Sequence, residues 1–178
     1  DRMQYEQGYR RKWYALFVAT GEEDKVKERL QFKFGNSDLR IIVPKRRLRE
    51  RKNGRWEYKI RTLFPGYVLL NGYIDHEEYH AMKDVPGVIT LLKDKQDALE
   101  IDEYEIAVVN RLICNNELIG CSNIYVESER IIVVDGPLLG MEGYIESIDK
   151  RKCRAKVRLN LMGEVRVVEL SIAMVQPA

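Results

Sequence analysis

The spacing of apolar and polar positions differs between the first two thirds of the chain and the last third. In the first part, short apolar runs alternate with stretches of helical period. Trp13–Ala19 predicts a buried strand, and Val26, Leu30 and Phe34 recur on one face of a helix that Thr20 and Glu23 could cap. Further predicted elements are strands over 39–43, 56–62, 67–70 and 88–92, and helices over 75–83 and from 102 onward.

The last fifty residues show no helical period. Short apolar segments at regular spacing predict strands over 131–134, 143–148, 155–161 and 165–170, separated by turn formers. This pattern is typical of a small β-barrel. We therefore expect an α+β chain with a flexible N-terminus (1–11), an N-terminal domain (12–114), a linker (115–128) and a C-terminal barrel (129–178).

A strongly basic segment surrounds the Asn53-Gly54 dipeptide. Between positions 44 and 61, nine basic side chains face only two acidic ones, Glu50 and Glu57. Asn-Gly favours a two-residue hairpin turn because both residues tolerate a positive φ. The segment is therefore predicted to form a protruding basic hairpin.

Charge is segregated along the rest of the chain although the formal net charge is only +2. Residues 71–129 carry thirteen acidic and four basic side chains, whereas 150–158 carries six basic side chains and no acidic one. Segregation of this kind indicates two partners, or one polyanion together with a self-contact.

The sequence offers no convincing active site. His76-Glu-Glu-Tyr-His80 matches a zinc-protease pattern, but the predicted helix is short and there is no third histidine, so we expect no metal. Gly136, Gly140 and Gly143 fit no phosphate-loop spacing. We expect no enzyme activity and no cofactor. Three cysteines without a paired motif, and no apolar run of about 18 residues, favour a cytoplasmic protein without a membrane partner.

The basic segments favour nucleic acid as the polyanion. Trp56 and Tyr58 lie among the arginines of the hairpin, where aromatic rings could stack on bases. Arg154, Lys156 and Arg158 alternate on a predicted strand and so share one face. The candidate RNA-binding residues are Lys150, Arg151, Lys152, Arg154, Lys156, Arg158, Arg166, Lys45, Arg46, Arg47, Arg49, Arg51, Lys52 and Arg55. We expect the segment 150–158 to be the principal surface and the hairpin to be secondary.

The same sequence resembles the NusG family of transcription elongation factors. The motifs that carry the resemblance are Lys12-Trp-Tyr-Ala-Leu, Leu63-Phe-Pro-Gly-Tyr-Val-Leu-Leu70, Val85-Pro-Gly-Val88, and the KOW-like Val134-Asp-Gly-Pro137 with Gly140-x-x-Gly-Tyr-Ile145. The resemblance implies an N-terminal sandwich of a four-stranded, mostly antiparallel sheet with about three helices, and a C-terminal SH3-like KOW barrel.

The resemblance implies docking on the clamp helices of RNA polymerase. The implied contact residues form an apolar patch of Trp13, Leu16, Phe64, Tyr67 and Leu69, in which we expect Phe64 and Tyr67 to be exposed. General factors of the family also recruit Rho or a ribosomal protein through a loop that matches Leu161-Met162-Gly163. Here Met162 stands where the family commonly has an aromatic residue.

The extra basic residues make the chain similar to LoaP-type antitermination paralogues, which bind an RNA hairpin in a nascent leader transcript and act on long operons. Two alternatives stay open at this point. One is a general NusG-like factor whose KOW domain is a protein adaptor, and the other is an RfaH-like paralogue that reads non-template DNA. We expect a monomer in each case.

Overall fold

The structure is a computed structural model that describes residues 11–35, 38–89, 100–113 and 117–177. In chain order its elements are β1 (Lys12–Phe17), α1 (Glu23–Phe34), β2 (Arg40–Ile42), β3 (Lys45–Lys52), β4 (Arg55–Thr62), β5 (Tyr67–Gly72), α2 (His76–Lys83), α3 (Glu103–Ile113), β6 (Leu118–Ile119), β7 (Ser122–Glu127), β8 (Arg130–Asp135), a short 3₁₀ turn (Glu142–Tyr144), β9 (Ile145–Asp149), β10 (Arg154–Leu161) and β11 (Glu164–Met174).

The described residues form two compact units. Within the described ranges, one unit comprises 11–35, 38–43, 64–89 and 100–103, and the other comprises 44–63, 104–113 and 117–177. The mixed α+β class, with helices in the N-terminal part and a β-rich C-terminal part, is confirmed. Among the described residues, no helix is both long and apolar enough to cross a bilayer.

The first unit is built on an antiparallel sheet in the order β1-β5-β2. Because side chains alternate along a strand, Tyr14, Leu16 and Val18 share one face. They join a core cluster with Val26 and Leu30 of α1, which are fully buried as the helical period predicted. The predicted strand 88–92 is represented by a single bridge between Val18 and Val88, and residues 90–92 lie outside the described ranges.

A buried carboxylate ties the start of α1 to the loop that follows β4. Glu23 is only 4% exposed, and its two oxygens accept hydrogen bonds from the backbone N–H groups of Gly21 and Gly66, each at 2.9 Å. The predicted cap by Thr20 is wrong, because the helix begins at Glu23, so the N-cap residue is Glu22, whose side chain makes no capping hydrogen bond. Glu23 does reach back toward the preceding residues, as expected.

In the second unit, β3 and β4 form the predicted hairpin and β6 pairs with β3 in parallel. Asn53 and Gly54 have φ of 51° and 77°, as a type I′ turn requires. Antiparallel and parallel pairings build the remaining sheet in the order β8-β7-β11-β10-β9. The long strand β11 contributes to two pairings, first with β10 and then, near its end, with β7.

The turn after β8 requires its glycine. Gly136 has φ +98°, and a Cβ there would lie 2.6 Å from Cα of Ser122. The Ser122 hydroxyl is buried in the same turn and accepts a hydrogen bond from the N–H of Leu138 at 2.9 Å. The turn therefore packs on the first residue of β7, which explains why an Asp-Gly-Pro sequence stands here.

Two expectations about domain organisation need correction. The stretch 115–128 contains strands β6 and β7, so the linker assignment is wrong for those residues. Its pattern is weak because the buried face of β7 includes the polar Ser122 beside Ile124. The hairpin and most of α3 group with the C-terminal strands, whereas the sequence assigned both to the N-terminal domain.

Candidate functional site

The basic hairpin presents an ordered face of arginines and aromatic rings, which we call the arginine–aromatic face. It consists of Arg47, Arg49 and Arg51 on β3 and of their cross-strand partners Ile60, Tyr58 and Trp56 on β4. The Arg47 guanidinium lies 4.2 Å from the Tyr58 ring centroid, and that of Arg49 lies 4.9 Å from the Trp56 ring centroid. Each contact is diagonal across the strands and holds a flexible arginine against a ring.

The rings of this face stay accessible. Trp56 is 42% exposed and Tyr58 is 59% exposed, large values for aromatic side chains in a folded unit. Arg55 and Lys52 flank the turn and are also exposed. Exposed rings beside guanidinium groups provide stacking surfaces next to cations, the combination that single-stranded nucleic acid uses.

The opposite face of the hairpin is attached to the rest of its unit. Leu48 is 2% exposed, and Nη1 of Arg46 donates to the backbone carbonyl of Glu169 on β11 at 2.7 Å. Burial lowers the pKa of the Arg46 guanidinium, and the nearby carboxylate of Glu169 opposes that shift. Lys45 is half-buried at the start of the strand. The hairpin is therefore held against β11 along its first half.

Arg154 bonds the hairpin to β10 and β11. Its Nη1 lies 2.8 Å from a carboxylate oxygen of Glu169, and its Nη2 lies 3.7 Å from a carboxylate oxygen of Glu50. The side chain is only 18% exposed. The strand period predicts that Arg154 lies on an exposed phosphate-binding face. The structure corrects this expectation, because two carboxylates already neutralise the guanidinium.

The rest of β10 follows the predicted alternation. Ala155, Val157 and Leu159 are buried, and Lys156 and Arg158 point outward. Arg158 lies 3.9 Å from Glu146 in a pair exposed to solvent. On β11, Arg166 is 22% exposed and lies 3.2 Å from Glu164.

The turn before β10 brings three more cations to the same region. Lys150, Arg151 and Lys152 are exposed, and the Asp149 carboxylate stabilises the turn by accepting the N–H of Lys152 at 2.9 Å. Together the turn and the hairpin border a cleft of about 390 Å³. Its lining residues, which we call the basic cleft, are Arg49, Glu50, Arg51, Trp56, Arg151, Lys152 and Arg154. Sequence reasoning found these residues but did not bring them together.

The predicted apolar docking patch is only partly on the surface. Leu16, Phe64 and Leu69 are 3%, 2% and 0% exposed, so the expectation that Phe64 is exposed is wrong. Leu16 lies on the same face of β1 as Tyr14 and Val18 and packs in the core cluster that includes residues of α1. Phe64 precedes the turn in which the N–H of Gly66 donates to the Glu23 carboxylate.

Half-buried aromatic residues occupy the other face of β1 and β5. Trp13 and Tyr67 are half-buried, and the Tyr67 ring lies 4.9 Å from that of Phe17, its cross-strand partner. Sequence reasoning missed Phe17, although its alternation with Trp13 puts both on one face. We call Trp13, Phe17 and Tyr67 the aromatic face. Of the predicted patch, Trp13 and Tyr67 remain partly accessible.

Comparison with known proteins identifies the class. A family model described as "Transcription termination factor nusG" matches residues 11–110. The Transcription termination/antitermination protein NusG of Rickettsia felis is 28% identical over 172 residues, covering 93% of this chain and 90% of that protein. The protein of the same name from Vibrio cholerae is 28% identical over 174 residues, covering 94% of this chain and 96% of that protein.

A solved structure of a NusG protein has a similar fold. The structure entitled "Domain interaction in Thermotoga maritima NusG" superposes with a TM-score of 0.57 and 24% identity, over 91% of this chain and 94% of that one. The chain is thus a transcription factor of the termination/antitermination class. It belongs to the NusG family.

Proposed function

We propose that this protein is a specialised, LoaP-type antitermination factor. Its N-terminal domain binds the clamp helices of RNA polymerase, and its basic surfaces bind a structured hairpin in the nascent leader RNA. Binding both keeps the factor on the polymerase through long operons in the cytoplasm. A monomer with no cofactor suffices for this role.

The observation that carries the RNA part is the convergence of two separate basic segments on one cleft. Hairpin residues 49–51 and turn residues 151–152 are about a hundred positions apart in sequence, yet both line the basic cleft within one compact unit. Solubility alone does not require basic side chains to be grouped in one cleft, and grouping them is unfavourable because like charges repel. Binding a polyanion does require several cations grouped on one surface.

The polymerase part is supported by the aromatic face. Trp13, Phe17 and Tyr67 are half-buried, so each has apolar area still available to a partner. Large aromatic side chains in this situation are typical anchors of protein interfaces. Leu69 lies on the same face of β5 as Tyr67 but is fully buried, and Phe64 is buried as well, so neither would contact the polymerase.

The RNA proposal is tested by binding of the purified protein to leader RNAs that contain a stem–loop, against scrambled RNAs of equal length. Fluorescence anisotropy at about 50 mM and 200 mM salt gives both affinity and salt slope. We expect at least tenfold tighter binding to the structured RNA at both concentrations. Equal affinity for structured and scrambled RNA would instead support the general NusG-like adaptor, and preference for single-stranded non-template DNA would support the RfaH-like alternative.

The polymerase proposal is tested with Trp13→Ala plus Tyr67→Ala. We expect this double variant to stay folded, to keep its RNA affinity and to lose at least tenfold in affinity for RNA polymerase. Phe64→Ala is the matched core variant, and it should lose about 3–5 kcal/mol of stability because a fully buried ring is removed. Wild-type polymerase affinity in the folded double variant would contradict the assignment of the aromatic face.

A further inference from the structure

The basic cleft is positive toward solvent although one carboxylate lies in its lining. Its single acidic residue, Glu50, lies 3.7 Å from Arg154, 3.8 Å from Lys59 and 3.5 Å from Arg61. Three cations therefore compensate this carboxylate from its own side of the hairpin. It does not neutralise the remaining cations of the cleft, so the cleft is positive toward solvent.

Three cations of the cleft are available to a ligand. Arg51, Arg151 and Lys152 are exposed, and among the described residues none of their side chains takes part in a salt bridge. Arg51 comes from the hairpin, whereas Arg151 and Lys152 come from the turn before β10. An anionic group between the two walls would meet donors from both sides, which is a geometry suited to a phosphate.

A flat apolar surface adjoins these cations. Trp56 lies in the wall of the cleft, where the Arg49 guanidinium packs against its ring at 4.9 Å while 42% of the side chain stays exposed. The arginine fixes the orientation of the indole and leaves apolar area uncovered. An indole held in this way is a stacking platform for a planar ring.

The size of the cleft is that of a site for a small ligand. About 390 Å³ is near the lower end of the range for small-ligand pockets, roughly 300–1,000 Å³. A paired base in a helix is stacked on its neighbours and cannot offer its face to an indole, whereas an unpaired base can be turned out of the stack. A single nucleotide fits this arrangement, because its base can stack on one ring while its phosphate contacts the neighbouring cations.

The walls of the cleft are held before any ligand arrives. Arg154 joins the hairpin to β11 through Glu50 and Glu169, and Nη1 of Arg46 donates to the carbonyl of Glu169. A ligand therefore meets side chains whose backbone is already in place, so binding loses little ordering entropy.

We infer that the basic cleft binds a single unpaired nucleotide of the RNA hairpin, with its base stacked on Trp56 and its phosphate held by Arg51, Arg151 and Lys152. The inference rests on the proposed RNA-binding function and adds what is recognised. The exposed cations Lys156 and Arg158 lie outside the cleft and are left to contact the phosphates of the paired stem. The protein would thus read a flipped or bulged base together with the helix that carries it.

The test is a double-mutant cycle between protein and RNA. The probes are a short RNA stem–loop with one bulged 2-aminopurine, the same RNA with an abasic site at the bulge, and the fully paired stem. Each is titrated with wild type and with Trp56→Ala. For wild type we expect the abasic site to weaken binding about 5- to 150-fold, the range for stacking one base, and the bulged 2-aminopurine to change fluorescence on binding. For Trp56→Ala we expect the abasic site to cause no further loss of RNA affinity.

Two control variants sharpen the result. Tyr58→Ala removes a ring from the same strand and face but outside the cleft lining, so the full abasic penalty should remain. Trp56→Phe should restore part of the penalty, because a smaller ring still stacks. Because Trp56 is exposed, we expect each variant to stay folded, and circular dichroism checks this directly.

The possible failures are distinguishable. An abasic penalty of the same size in wild type and Trp56→Ala would overturn the nucleotide site while leaving RNA-hairpin binding intact. If no stem–loop binds more tightly than a scrambled RNA in the preceding experiment, the proposed function and this inference fall together.

Discussion

The arginine–aromatic face of the hairpin and the outward face of β10 are both strands with basic residues at alternate positions, yet their cations are in different situations. On β3, Arg47 and Arg49 pack on aromatic rings and form no salt bridge among the described residues. On β10, Arg154 is bound by two carboxylates and Arg158 lies near Glu146. Alternation thus predicts which side chains share a face, but the neighbouring strands decide which charges remain available.

The comparison also changes the expected order of the two surfaces. From the sequence alone, segment 150–158 is expected to be the principal surface because its strand belongs to a rigid sheet. In the structure the hairpin is also held, through Leu48 and Arg46, and it has the aromatic rings that β10 lacks. We therefore expect the hairpin to contribute at least as much to RNA affinity as Lys156 and Arg158 do.

Among changes to the two basic strands, the largest effect is expected from Arg154→Ala, which tests whether this residue is structural. Removing the guanidinium leaves the partly buried carboxylates of Glu50 and Glu169 without their shared partner. We expect a loss of about 2–3 kcal/mol in unfolding free energy, measured by urea denaturation. The matched control is Arg158→Ala, whose exposed pair should contribute less than about 0.5 kcal/mol. Similar small losses in both variants would show that Arg154 is no anchor.

A smaller effect, on RNA binding, is expected from two double variants. Arg47→Ala plus Arg51→Ala should weaken binding to a stem–loop RNA about 10- to 100-fold and lower its salt slope by about 2. Lys156→Ala plus Arg158→Ala should lower the slope by only about 1, because the Glu146 carboxylate already offsets part of the charge of Arg158. Anisotropy titrations at several salt concentrations measure both quantities. The reverse order would restore the ranking made from sequence.

The smallest effect is expected from Gly54→Ala, which tests whether the turn itself stabilises the hairpin. Gly54 has φ +77° and nothing within 4 Å of an added Cβ, so the substitution introduces backbone strain without a clash. We expect a loss of about 1 kcal/mol in thermal or urea unfolding. Gly143→Ala is the control, since its site is equally open and its φ lies outside the left-handed region. Identical behaviour of the two variants would mean that the hairpin does not contribute to the cooperative fold.

Much of the candidate site could be found from sequence, for identifiable reasons. The Asn53-Gly54 turn is local chemistry, and it placed the arginines and Trp56 on a hairpin without further information. The strand period correctly separated Ala155 and Val157 from Lys156. What could not be found was the fate of Arg154, because its partner Glu50 is about a hundred positions away and no local pattern joins them.

The errors in the apolar patch and the linker have a related cause. An aromatic residue such as Phe64 is compatible with an interface or a core, and only the packing around the loop held by Glu23 decides between them. Strand β7 escaped detection because its buried Ser122 is polar; the hydroxyl is satisfied by the N–H of Leu138 in a turn that sequence does not bring near.

The sequence by itself determined the α+β class, the period of each strong helix and strand, the basic hairpin and, through its motifs, the NusG family. These follow from interactions between near neighbours, whose geometry is set by the local backbone. Tertiary structure alone decided that the hairpin and the turn 150–152 border one cleft, that Arg154 is an anchor and that Phe64 is buried. Ion pairing and burial depend on which distant side chains meet in space, and hydropathy or charge along the chain does not specify those meetings.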